Sequence, residues 1–242
     1  MKVFCIGDIH GRFKALKEVL TISKFNYKED RLIVLGDIVD GGYNTSLVVE
    51  ELLKVEDLIY VIGNHDEMFM NHIASGWAEE IWLQQGGANT LQSYGGKIIK
   101  LGEKWDDKTE INTRDLNIPI THQNFFNKGR YYYVEDKMCF VHGGFNPAIP
   151  KMTSQSKHDL LWDRDLINYA IKNKIKQFKK VFVGHTTTQT YGHLLQVEDC
   201  MAPIKFHNLI MMDCGAGWNG RLAIMNIDTE QYWVSKIQEG GR

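Results

Sequence analysis

The stretch KVFCIGDIHG, residues 2–11, is a short apolar run that stops at a carboxylate, a histidine and two glycines. One such strand end is a weak signal, because a lone Asp or His after a strand is more often a turn residue or a helix cap. The arrangement returns twice within sixty residues. RLIVLGDIVDGG (31–42) ends on Asp37 and Asp40, and LIYVIGNHDE (58–67) ends on Asn64 and His65. Between these runs, FKALKEVLTISK (13–24) and NTSLVVEELLKV (44–55) place apolar residues at helical spacing, the second opened by Asn44 or Thr45 as N-cap. Strand–helix–strand–helix–strand with short connections predicts parallel strands and right-handed crossovers. Asp8 and Asp37 are 29 positions apart and Asp37 and Asn64 are 27, each about one βαβ unit. All three therefore fall side by side at the carboxyl edge of one sheet, where open α/β sheets bind their ligands.

The 242 residues, 43% hydrophobic and 24% charged, are enough for one large domain with a substantial core. A formal charge of −2 leaves no electrostatic footprint for nucleic acid or an anionic membrane surface. No secretory leader and no membrane-length apolar run is visible, and the four cysteines form no CxxC pair. The expectation is a cytoplasmic protein with reduced, buried thiols, acting on neither nucleic acid nor membrane.

HDEMFMNHIASGWAEEIWLQQ (65–85) reads as helix broken near Gly76, residues 97–120 are polar without a clear period, and HQNFFNK (122–128) reads as a short helix. YYYVED and KMCFVHGG read as a hairpin, KKVFVGHT as a strand, and NLIMMDCGAG, RLAIMNID and QYWVSKI as three more. The KNKIKQFKK run (172–180) reads as a solvated basic helix face. No repeat or linker interrupts the chain, so the expectation is one domain over 1–242, of α/β class, built as two packed sheets with helices outside (αββα). A substrate-lid insertion is expected around 76–130.

FVHGG and FVGHT deliver two further histidines, His142 and His185, from strand ends. Asp8, His10, Asp37, Asn64, His142 and His185 are oxygen and imidazole donors without sulfur, which suit Mn, Fe or Zn over calcium. Six donors exceed one open tetrahedral zinc site and suit two metals. Asp8 and His10 would serve the first, Asn64, His142 and His185 the second, and Asp37 would bridge. Two such ions about 3.5–4 Å apart can share a hydroxide and clamp an in-line displacement at phosphorus. His65 follows Asn64 at the rim, and Asp40 is placed to hold its ring, so His65 can protonate a leaving alkoxide.

GDIHG, GDIVDGG, GNHD, VHGG and GHT, in this order, resemble the signature of the calcineurin-like metallophosphoesterase superfamily. The sequence is most similar to the serine/threonine phosphoprotein phosphatase branch of bacteria and phages. WLQQGGANTLQSYGG, LLWDRD and MMDCGAGWNGRLAIMNID resemble stretches of the same proteins, so the similarity runs from about residue 1 to about residue 228. The resemblance implies a β-sandwich flanked by helices, a dinuclear site with the ligands above, His65–Asp40 as the acid dyad, and two divalent cations, Mn first and Fe, Zn or Ni as others. It implies a phosphorylated protein or nucleotide as substrate.

The branch usually carries an arginine where Gly41 stands, often another where Ile62 stands, and Glu where Asp66 stands. Arg164 in LLWDRD matches a further family arginine and is the expected phosphate clamp, since a guanidinium binds phosphate bidentately; Arg12 is a second candidate. Pairing of Arg164 with Asp163 or Asp165 is the competing reading. GNHD without a preceding arginine also occurs in the diadenosine-tetraphosphate hydrolase branch, so a bis(5'-nucleosyl)-tetraphosphatase or other nucleotide phosphohydrolase is the alternative function. Trp77, Trp82, Tyr94 and Trp105 would stack a base if their segment forms a lid, and would be core otherwise. A non-catalytic binding module is a third reading, which the intact donor set opposes. His72, His122, His158, His193 and His207 match no motif and read as surface or capping residues.

Overall fold

The computed structural model describes residues 1–100, 108–192, 196 and 200–236. Five strands form the first sheet: β1 (Val3–Ile6), β2 (Arg31–Val34), β3 (Asp57–Tyr60), β11 (Ala223–Asn226) and β12 (Tyr232–Val234), in the order β12-β11-β1-β2-β3. β1, β2 and β3 run parallel, with Cys5 opposite Ile33 and Ile33 opposite Ile59. The second sheet holds β6 (Tyr132–Glu135), β7 (Met138–Val141), β8 (Lys180–Val183), β9 (Ile204–Phe206) and β10 (Leu209–Met211), in the order β6-β7-β8-β10-β9. β6 and β7 make the expected hairpin, and β7, β8 and β10 are parallel.

Alternation along the strands sends one set of side chains between the sheets and the other outward. Cys5, Ile33, Leu35 and Val61 of the first sheet meet Phe140, Phe182, Ile210 and Met212 of the second, and the rings of Phe140 and Phe182 stack at 4.9 Å. The outer face of the first sheet packs on the helices Phe13–Ile22 and Thr45–Leu52, and that of the second on Lys157–Trp162 and Asp165–Lys172. This is the expected αββα sandwich. The four-residue strands β1, β2 and β8 are buried on both faces, so apolar runs replace alternation there.

Several local expectations change. Gly76, at φ 70°, caps the helix Asn64–Ser75, and a broken helical stretch from Glu80 to Ser93 follows. The polar stretch after it contains β4 (Lys97–Lys100) and β5 (Glu110–Asn112), a small separate sheet. Trp82, Leu91, Tyr94 and Phe126 lie in the same core as the first sheet's helices, so the stretch Glu80–Ser93 packs as a wall against the sandwich. Residues 173–179 are not helical, so the basic run presents no helix face. His72 and His122 are buried rather than superficial: His72 packs on Trp82, and His122 contacts Glu50 and the hydroxyl of Tyr94. His158 and His207 are exposed, while His193 and Trp105 lie outside the described residues. Among the described residues, no helix is long and apolar enough to cross a membrane.

The two helices that follow β1 and β2 are joined by the buried carboxylate of Glu51, which accepts from Lys17 at 2.8 Å, Lys54 at 2.7 Å and Tyr27 at 2.5 Å. Burial pushes this carboxyl up, but the hydrogen bonds from Lys17, Lys54 and Tyr27 outweigh it and hold it at about 2. A depressed folded-state value stabilises the native state above the ordinary glutamate range, and that stability is lost as the pH falls towards 2. Glu51→Gln is expected to destabilise the chain by about 1 kcal/mol near neutrality. Urea denaturation should show the difference from wild type shrinking steadily as the pH falls from about 5 to about 2.

Candidate metal centre

The parallel strands deliver their polar ends to one place, and short left-handed steps aim them. His10, Asp37, Asp40 and His185 all have positive φ, at 48°, 46°, 68° and 63°. Non-glycine residues seldom take this conformation, and its concentration at four candidate positions marks a site where the backbone bends to point side chains inward. Gly63 and Gly184 make room for the carboxylates. A Cβ on Gly63 would lie 2.1 Å from Asp37 Oδ1, and one on Gly184 would lie 2.4 Å from Asp8 Oδ1.

Two groups of donors result. Asp8, His10 and Asp37 each offer an atom within 4.8 Å of the others, and so do Asp37, His142 and His185. Asp37 belongs to both. Asn64 joins the second group, its Oδ1 lying 2.9 Å from His142 Nε2 and 3.0 Å from His185 Nδ1. The six residues proposed from strand ends therefore come together, with Asp37 at their centre.

Outer contacts fix this set. His10 Nδ1 donates to the carbonyl of Val39 at 2.9 Å and His142 Nδ1 to that of Leu35 at 2.7 Å. A carbonyl only accepts, so Nδ1 carries a proton in each ring and Nε2 is the nitrogen turned to Asp37 and the centre, the orientation typical of metal-ligating histidines. Backbone N–H groups of His65 and His185 donate to Asp37 and Asp8, each at 3.0 Å. Asp66 accepts from the backbone of Ile38 and Gly63, both at 2.9 Å, and so ties the second strand end to the third.

The electrostatics are those of a cation site. Asp8, Asp37, Asp66 and Asp213 are all buried. Burial, followed by the neighbouring Asp213, raises the Asp8 carboxyl well above its ordinary range. Burial and the charge of Asp37 push Asp66 up to about 6, and the same two causes push Asp213 to about 6 against a hydrogen bond from Gly215. Asp37 behaves oppositely: burial raises it, but the imidazoles of His142, His65 and His10 hold it well below the usual range. Burial disfavours a charged His142, yet Asp37 raises it to about 10, while burial and His142 lower His185 to about 3. Such a cluster of buried carboxyls needs positive charge beside it. The buried Nε2 of His185 has no hydrogen-bond partner either. The donors present thus fit two divalent cations.

The centre opens into a cavity of about 260 Å³, lined also by His65, Gln85, Trp162, Arg164, Asp213 and Trp218. His65 Nδ1 contacts Asp40 Oδ2 at 2.6 Å. Arg164 is exposed at the rim, and Asp163, its expected competitor, accepts instead from the backbone of Asp165 and Leu166. Arg12 requires a correction: it is buried, its Nε donates to Ala216 O at 2.9 Å, and it does not line the cavity. Its guanidinium holds the loop after β10 in place. The aromatic expectation also moves. Trp82 and Tyr94 are core, and Trp77 borders a separate cavity, whereas Trp162 and Trp218 flank this one. The signal for Asp213 in the sequence is one more apolar run that stops at a carboxylate, MMDCG.

A sandwich whose strand ends gather this donor set is a metal-dependent phosphoesterase. The chain belongs to the calcineurin-like phosphoesterase family, whose model matches residues 1–206 and whose members are hydrolases dependent on a dinuclear metal site. It is 25% identical to the symmetrical bis(5'-nucleosyl)-tetraphosphatase of Buchnera aphidicola, over 99% of each chain. It is 26% identical to serine/threonine-protein phosphatase 2 of Escherichia coli, over 93% of this chain and 92% of that one. Among solved structures, a candidate diadenosine tetraphosphatase superposes with a TM-score of 0.68 over 96% of this chain and 92% of that one; at 15% identity the likeness is one of fold.

Asp37→Asn is expected to weaken the binding of both metals, and Gly63→Ala to do the same by displacing the Asp37 carboxylate. Metal analysis after gel filtration should then find fewer than two ions per chain in each variant, with the circular dichroism of Asp37→Asn unchanged.

Proposed function

We propose that the chain is a phosphomonoesterase acting on phosphoserine and phosphothreonine. Asp8, His10 and Asp37 hold one divalent cation, and Asp37, Asn64, His142 and His185 the other. The observation that carries this reading is the pocket itself: about 260 Å³, with one guanidinium, Arg164, and, among the described residues, no other Lys or Arg side chain lining it. That suits a single phosphoryl group on a short stem; a polyphosphate chain calls for more positive charge. The oxygen and nitrogen donors favour Mn, with Fe, Zn and Ni as competitors.

When bound, the cations supply Lewis acidity at the phosphoryl oxygens and an activated water. The residues do the rest. Arg164, exposed and near the donors, binds the outer phosphoryl oxygens as a bidentate fork. Gln85 also lines the cavity, with an uncharged amide. Asp40 receives the Nδ1–H of His65, which leaves Nε2 turned to the cavity, where it presents a proton to the departing serine or threonine oxygen. Trp162 stands edge-on to His185 at the cavity, with ring centroids 5.8 Å apart. The location is the cytoplasm, where the four cysteines, three of them buried and none in a disulfide among the described residues, stay reduced.

A second reading has its own support. Trp162 and Trp218 flank the cavity, Trp218 is 56% exposed, and a full-length relative is a tetraphosphatase. Two indoles at one rim can stack a nucleobase. The two readings separate by kcat/KM, measured side by side with Mn²⁺ for a phosphothreonine peptide and for diadenosine tetraphosphate. The peptide is expected to be the better substrate; a large preference for the dinucleotide would establish the second reading instead.

His65→Asn is expected to keep both metals and to lower kcat on the phosphothreonine peptide by about 10²-fold or more. On p-nitrophenyl phosphate, whose leaving group needs no proton, the loss should be much smaller.

A further inference from the structure

Asp40 carries more hydrogen bonds than holding one imidazole requires. Its Oδ2 accepts from His65 Nδ1 at 2.6 Å and also from Trp82 Nε1 at 2.9 Å. Its Oδ1 accepts from the hydroxyl of Thr90 at 2.7 Å, and that hydroxyl in turn accepts from the backbone N–H of Asp40 at 2.8 Å. Asp40, Trp82 and Thr90 are buried at 0%, 1% and 0% exposure. The indole is fixed as well: it packs on the rings of Phe69 and His72, and a Cβ on Gly87 would stand 2.4 Å from its Cε2.

We propose that Trp82 and Thr90 are positioning residues for the proton transfer, acting through Asp40 on His65. The inference rests on the reading of His65 as the donor to the leaving oxygen. A carboxylate alone can turn about its two side-chain bonds and let the imidazole swing with it. With Oδ1 held by Thr90 and one face of Oδ2 held by the indole N–H, the remaining direction of Oδ2 is the one that meets His65 Nδ1. The ring is then locked with Nε2 towards the cavity. Both residues come from the wall segment Glu80–Ser93, which contributes to the chemistry without touching the substrate. Removing the Thr90 hydroxyl leaves Oδ1 unpaired in a dry site, and removing the indole N–H leaves Oδ2 held by His65 alone, so in either case the carboxylate tilts and His65 loses its alignment.

A positioning role of this kind has a signature that loss of general stability lacks. It matters in proportion to how badly the leaving group needs a proton. The test compares Trp82→Phe, Thr90→Val, Thr90→Ser and His65→Asn on a phosphothreonine peptide and on p-nitrophenyl phosphate, with two bound Mn²⁺ verified for each. Trp82→Phe and Thr90→Val are expected to lower kcat on the peptide about tenfold and on p-nitrophenyl phosphate less than about twofold, with KM unchanged. Thr90→Ser, which keeps the hydroxyl, should restore the peptide rate. Proton NMR of the full chain should show the downfield His65 Nδ1–H resonance in wild type and Thr90→Ser and its shift or loss in the other two. Equal losses on both substrates, or none, would overturn the proposal while His65→Asn still discriminates between them. If His65→Asn itself does not discriminate, the donor reading falls and this proposal with it. Should Trp82→Phe fail to fold, the Thr90 pair decides the matter alone.

Discussion

Four buried carboxyls set the terms for the rest of the molecule. Asp8, Asp37, Asp66 and Asp213 lie buried around the strand ends, where burial and mutual repulsion raise three of the carboxyls while neighbouring imidazoles hold Asp37 charged. Positive charge must come to them, from imidazolium or from metal. Everything around the centre follows that demand. The imidazoles of His10 and His142 are pinned through Nδ1 so that Nε2 faces inward, and backbone N–H groups at His65 and His185 donate to the two carboxylates that most need them. The positive-φ steps at His10, Asp37, Asp40 and His185 are strain that this network sustains.

The sandwich positions the centre with little material. Strands of four residues, buried on both faces, carry side chains inward from two sheets, and each strand end is held to the next through the loops. Asp66 is a good instance: its two oxygens accept backbone N–H groups from the Asp37 loop and from its own, so that Asp37 and Asn64 keep register. The wall formed by residues 80–93 plays the corresponding part for the dyad. It shares its core with the first sheet's helices, which ties the partners of Asp40 to the sandwich.

Much of this was legible in the sequence, for a physical reason. An apolar β-rich run that stops at glycine and a polar donor has few structural uses, and its repetition at one-βαβ spacing places Asp8, Asp37 and Asn64 together without any tertiary information. The same grammar was present at MMDCG, so Asp213 was within reach. Other features were not. That Asp40 is held by Trp82 and Thr90, more than forty residues away, depends on how an irregular segment packs, and no local pattern encodes it. Arg12 follows a motif in sequence, but its guanidinium turns to Ala216 and Gly217, over two hundred positions on. His72 and His122 lack any periodic signal for burial because each is satisfied by a long-range or irregular partner, Glu50 and Tyr94 for His122 and the carbonyl of Trp77 for His72. β4, β5 and β9 are short or polar strands whose pairing, not composition, defines them.

The central claim is that one carboxylate, Asp37, lies between two cations. Anomalous diffraction from crystals grown with Mn²⁺ tests it most directly. The account predicts two peaks, one among Asp8, His10 and Asp37 and one among Asp37, Asn64, His142 and His185, both adjoining Asp37. A single peak at saturating Mn²⁺, or two peaks that do not share Asp37, would contradict it.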